Sequence, residues 1–95
     1  MDKNRILLID NEEGLCRMIE AVLGDNGYTV DSFTSPFTAL ETFKPGGYDL
    51  VISDIKMPGM DGLEVLQKVR AQDQHVPVIM ITAYATVETS IQALR

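Results

Sequence analysis

Cysteine is almost missing from this chain: Cys16 stands alone, so no disulfide can close within it. On a helical stretch such a residue serves as a small apolar side chain. Histidine is equally scarce. His75 lies in the polar turn Gln72-Asp73-Gln74-His75, where no catalytic role is expected for it. Long apolar runs are absent too, and none approaches the roughly 18 residues of a membrane span. The opening Met1-Asp2-Lys3-Asn4-Arg5 leads into only four apolar residues, too few for a secretory signal. The chain is therefore expected to be cytoplasmic, without membrane contact. Positive charge is in deficit, with 8 Lys and Arg against 14 Asp and Glu and a net charge of −6. That balance disfavours direct binding of nucleic acid or anionic lipid. It suits solubility, basic partners, or carboxylates gathered around a cation. The 95 residues fit one small domain, with no repeat, linker or low-complexity stretch.

What is present is an alternation of short apolar runs and helical periods. Ile6-Leu7-Leu8-Ile9 reads as a strand buried on both faces. Leu15, Met18, Ile19, Val22 and Leu23 recur at helical spacing, and Gly24 with Asp25-Asn26-Gly27 ends that helix. Tyr28 to Ser32 predicts a second strand. Ser35-Pro36 is an N-cap followed by proline at the first helical position, and Phe37, Leu40 and Phe43 give the helix its apolar face before Pro45-Gly46-Gly47. Leu50-Val51-Ile52 predicts the third strand. Asp61 to Glu64 has capping-box spacing, and Leu63, Leu66 and Val69 continue the helix. Val76 to Ile81 predicts a fourth strand, and Thr86 can cap a last helix carrying Val87, Ile91 and Leu94. Strand and helix alternate four times, which implies an α/β fold: a doubly wound parallel sheet with helices on both faces.

Ligands of such sheets bind beyond the carboxyl ends of the strands. Asp10-Asn11-Glu12-Glu13 follows the first apolar run, Ser53-Asp54 the third and Thr82-Ala83 the fourth. If the first strand neighbours the third, Asp10 and Asp54 face each other. Close carboxylates repel, and a divalent cation relieves this. The oxygen-only donors favour magnesium, or a similar hard ion such as manganese, over zinc. A carboxylate beside that ion can act as nucleophile towards a phosphoryl group. Thr82 can donate its hydroxyl to a phosphoryl oxygen, and Lys56 can offer its backbone carbonyl to the ion. Singly, each has a plainer use: a strand-end aspartate as turn former, Thr82 as strand-end hydrogen bonder, Asp61 as helix cap, Met57, Met60 and Met80 as packing. Their convergence at one edge is what favours chemistry.

Ile6-Leu7-Leu8-Ile9-Asp10, Asp54-Ile55-Lys56-Met57-Pro58-Gly59-Met60-Asp61-Gly62 and Ile81-Thr82-Ala83 together resemble the receiver domains of two-component response regulators. The resemblance extends over residues 1–95. It implies the flavodoxin-like (βα)5 receiver fold, here about (βα)4, with strand order 2-1-3-4. It implies Asp54 as phosphoacceptor and Thr82 as switch hydroxyl. It also implies a Mg2+ site (Mn2+ as substitute) of Asp10, Asn11, Asp54 and the Lys56 carbonyl, with Glu12 or Glu13 in support. Pro58, Gly59 and Gly62 would shape the loop after the acceptor. The implied partners are a sensor histidine kinase and an output domain in the parent chain, whose activity, transcription regulation above all, phosphorylation would switch. Residues 82–89 are similar to receivers of AAA+ transcription activators that act with an alternative sigma factor.

Two departures accompany the resemblance. The family's second acidic position is Asn11 here, which removes one charge and predicts weaker magnesium binding. The family also continues into a fifth strand with a lysine, an aromatic switch residue and a fifth helix. A chain lacking these is expected to be an incomplete receiver with an open fourth strand, prone to homodimerisation, including swapped or aberrant forms. A pseudo-receiver that only binds partners remains the alternative, with Asn11 as its support. An aspartyl-phosphate hydrolase fits less well, because Lys56 occupies the position of that class's second aspartate. A dinucleotide site is excluded by carboxylates at Asn11-Glu12-Glu13-Gly14, where a pyrophosphate would sit.

Overall fold

The computed structural model describes residues 4–81. The element order is β1 (Arg5–Ile9), α1 (Glu13–Asp25), β2 (Thr29–Phe33), α2 (Pro36–Thr42), β3 (Leu50–Asp54), α3 (Gly62–Gln72) and β4 (Val78–Ile81). All strand pairs are parallel, in the order β2-β1-β3-β4. This is the expected strand order. Thr82, Ala83 and the last expected helix with Thr86 lie outside the described residues. No helix among the described residues is long and apolar enough to cross a membrane.

The central strand β1 explains the layering. Ile6 to Ile9 are all buried, and alternate side chains feed two cores. Leu7, Ile9 and Val51 pack with Ala39, Phe43, Val65 and Val69, the α2 and α3 side. Ile6, Leu8 and Ile52 pack with Cys16, Ile19 and Leu23 of α1. At the edge where β1 starts, Arg5 pairs with Asp31 at 3.0 Å, and the Tyr48 hydroxyl donates to the same carboxylate at 2.7 Å.

Several expected faces are rotated. Cys16 is buried and Ile19 and Leu23 pack on the sheet, whereas Met18 and Val22 are more than half exposed. The apolar set of α1 is wider than the stripe the sheet covers, and Cys16, Ile19 and Leu23 at i, i+3 and i+7 occupy that stripe. Phe37 is likewise 52% exposed, and Pro36 and Ala39 take the inner face of α2. On α3, Val65 and Val69 are buried and Leu63 is exposed.

Some boundaries move for identifiable reasons. Strand β2 begins at Thr29, whose N–H donates to the Asn4 carbonyl, while Tyr28 N–H still bonds the Leu23 carbonyl of the helix end. Helix α2 stops before Pro45: Phe43 turns extended, is buried, and stacks on Tyr48 with ring centroids 6.1 Å apart. Val76 is buried but not in β4. Its N–H donates to the Asp73 side chain and its carbonyl accepts from Arg70, so its backbone bonds a turn instead of the sheet.

Candidate functional site

The site forms at the carboxyl ends of β1 and β3. Ile9 pairs with Ser53, so Asp10 and Asp54 follow on adjacent strands. Each lies two residues beyond a side chain packed against α1, Leu8 and Ile52 respectively. Strand alternation therefore directs both to the α1 side. Asp54 pairs with Ile81, which packs in that same core.

Asp10 is 2% exposed. Its Oδ1 accepts from Glu12 N–H at 2.9 Å, its N–H donates to the Phe33 carbonyl, and its carbonyl accepts from Cys16 Sγ at 3.3 Å. Backbone and carboxylate are thus held at the start of α1. Asp54 is half-buried, and its carboxyl holds its proton above the ordinary aspartate range. Burial is the main cause, the charge of Asp10 follows, and Glu12 adds to it; the amides of Ile55 and Lys56 pull the other way. A cation between the carboxylates would remove the repulsion.

Asn11, Glu12, Glu13 and Lys56 are all exposed at this edge. Glu13 is drawn aside by Arg17, whose guanidinium bonds Oε1 at 2.7 Å along the surface of α1. Among the described residues, no three His, Cys, Asp or Glu side chains gather into a metal cluster. The oxygen set at this edge is the carboxylates of Asp10 and Asp54, with those of Glu12 and Glu13 exposed nearby, the Asn11 amide and backbone carbonyls. That set suits a hard cation that keeps much of its water.

The segment from Ile55 to Asp61 is held on several sides. Gly62 N–H closes its stem by donating to the Ile55 carbonyl at 2.7 Å. Met57 and Met60 are buried in the α2–α3 core. Pro58 is exposed beside Gly59, whose φ of +83° is the left-handed conformation glycine tolerates. Gly62 admits no side chain, because a Cβ there would lie 2.5 Å from the Asp54 carbonyl oxygen. Asp61 caps α3 through a 2.9 Å bond from Glu64 N–H. Thr82 lies outside the described residues.

Ser53 was not singled out in the sequence. It is fully buried, and its Oγ donates to the Asp54 carbonyl at 3.0 Å. A serine directly after the apolar run Leu50 to Ile52, still inside the strand, was the available signal, since a buried hydroxyl needs a partner.

The family profile described as "Response regulator receiver domain" matches residues 6–95. Regulatory protein AtoC of Escherichia coli K12 is 40% identical over 92 residues, which are 97% of this chain and 20% of that protein. Transcriptional regulatory protein ZraR of the same strain is 36% identical over 94 residues, 99% of this chain and 21% of that protein. The chain thus spans about a fifth of the length of these curated relatives. Response regulator protein TrrA of Thermotoga maritima, solved in complex with Mg(2+)-BeF, superposes with a TM-score of 0.82 at 37% identity, covering 95% of this chain and 80% of that one.

Proposed function

The chain belongs to the response regulator receiver family, and from that premise we propose that it is a phosphoacceptor signalling domain whose acceptor is Asp54. The observation that carries the reading is the pairing of β1 with β3, which sets Asp10 beside Asp54 at the carboxyl edge of the sheet, where burial first and the charge of Asp10 second raise the proton affinity of Asp54. The donor would be the phosphohistidine of a sensor kinase. TrrA has also been solved in complex with a histidine kinase, ThkA.

In the proposed step an Asp54 carboxylate oxygen attacks phosphorus. The new O–P bond forms as the P–N bond to the donor imidazole breaks, and the leaving nitrogen keeps the electron pair and takes up a proton. Asp10, Asn11, Asp54 and the Lys56 carbonyl would hold Mg2+ or Mn2+, with Glu12 adding charge nearby. The ion would supply charge neutralisation and polarise the phosphoryl oxygens. Asp10 would keep the ion beside the acceptor, and the Ser53 hydroxyl and Gly62 fix the Asp54 backbone. Thr82 would donate to the phosphoryl group once it is in place. The added charge of about −1.5 to −2 would then shift the populations of the surrounding segments and switch an output domain, with transcription regulation as its activity. Such a domain does no chemistry beyond its own phosphorylation and dephosphorylation. Residues 1–95 would be the receiver part of that regulator, acting in the cytoplasm.

A second reading, a pseudo-receiver that only binds partners, draws on the neutral Asn11 and the absence of a third carboxylate ligand among the described residues. Incubation of the full chain with acetyl phosphate and magnesium separates the two. A mass gain of one phosphoryl group, lost in Asp54→Asn, supports the acceptor. No gain, or an equal gain in the variant, sinks it, and absence of magnesium binding by calorimetry favours the pseudo-receiver.

A further inference from the structure

Phe37 belongs to none of the motifs at the site, yet its side chain touches the loop that follows the acceptor. The ring stands 52% exposed on α2, unusual for a large apolar side chain with an inner face available nearby. What it gains there is contact with Gly59. A Cβ on Gly59 would lie 3.1 Å from Phe37 Cε2 and 3.4 Å from Cζ, so the ring edge rests against the glycine itself. On the inner side of the loop, Met57 and Met60 sink into the core beside Ala39 of α2 and Phe43 just after it. The loop is therefore held by two thioethers, by Phe37 from α2, and by the Gly62–Ile55 bond at its stem. Lys56 lies within this grip, exposed.

Methionine is an adaptable anchor that permits several arrangements. A rigid aromatic edge against a residue without a side chain permits fewer. We propose that Phe37 is a positioning residue: its contact with Gly59 holds the loop in the shape in which the Lys56 carbonyl can join Asp10 and Asp54 around a cation. The proposal rests on the metal reading given above. A loop that must be ordered when the ion arrives reduces apparent affinity by the fraction of time it is competent. Loss of the ring therefore reaches the ion through the loop, although Phe37 touches neither the ion nor Asp54.

The test uses the full chain as wild type, Phe37→Ala and Phe37→Tyr, the last keeping the ring. Amide hydrogen exchange at Lys56, Met57, Gly59 and Met60 is followed without metal, magnesium affinity by calorimetry, and global stability by urea unfolding. In Phe37→Ala, exchange at these amides should quicken beyond any change in global stability, and magnesium should bind roughly tenfold more weakly, the scale of supporting-residue losses. Phe37→Tyr should restore both. Unchanged loop exchange in Phe37→Ala, or a loss that Phe37→Tyr shares, overturns the clamp while magnesium binding by the wild type leaves the acceptor reading standing. Quickened exchange in a protein whose wild type binds no magnesium overturns the metal reading, and with it the ligand role given to this clamp.

Discussion

At the scale of single residues, Asp54 carries a stability signature set by its charge. Burial, then Asp10, then Glu12 favour its protonated form in the folded state. The stability this group contributes is fully present below the ordinary value of 3.8 and is lost as pH rises through the higher native value. Near pH 7 the ionised carboxylate opposes folding. Asp54→Asn keeps the shape and removes the charge, so the variant should unfold at higher urea than wild type at neutral pH. The gap should close as pH approaches about 3, and magnesium should stabilise wild type more than the variant. Cys16 offers a second test. Burial, followed by Asp10 and Glu20, pushes its thiol up to about 11 from 9.0. The thiolate fraction at pH 8 should then fall about a hundredfold. Iodoacetamide should label Cys16 at least that much more slowly in folded than in urea-unfolded protein, and similar rates would contradict its burial between α1 and the sheet.

At the scale of elements, the three helices among the described residues start with unequal caps. Asp61 accepts from Glu64 N–H at 2.9 Å, Ser35 accepts from Thr38 N–H at a long 3.5 Å, and Glu12 makes no side-chain cap. Asp61→Ala should destabilise the protein by about 1 kcal/mol, and Ser35→Ala by about 0.5 kcal/mol, the low end of measured caps. Urea unfolding at constant slope checks both, and equal losses would show that hydrogen-bond length does not rank them. Both caps were legible from Ser35-Pro36 and from the Asp61 to Glu64 spacing, because capping is local chemistry. The inner faces were less legible. Met18, Val22, Phe37 and Leu63 match a helical period as well as their buried neighbours do. Periodicity alone cannot say which part of a broad apolar arc meets the sheet.

At the scale of the whole molecule, β1 supplies both cores, so neither face can melt without the other. Leu7 faces the α2–α3 core and Leu8 the α1 core, and both are fully buried. Leu7→Ala and Leu8→Ala should each destabilise by about 2–5 kcal/mol. Each should lower the urea midpoint without changing the slope, since one cooperative unit unfolds. A reduced slope in either variant would mean that one layer opens separately.

The sequence by itself determined the strand and helix alternation, the parallel sheet and the edge to which Asp10 and Asp54 belong, while the order 2-1-3-4, which sets the two side by side, was implied by the family resemblance. The alternation and the parallel sheet follow from short-range patterns, and the handedness of parallel crossovers narrows the topologies without choosing among them. Only the tertiary structure decided that Cys16 of α1 packs onto the sheet, that Ser53 turns its hydroxyl onto the Asp54 carbonyl, and that Phe37 leaves the inner face of α2 for Gly59. Each of these joins residues whose partners lie on other elements, or depends on how far a helix has rolled on the sheet. Such contacts are set when the layers close, and no local run of side chains encodes them.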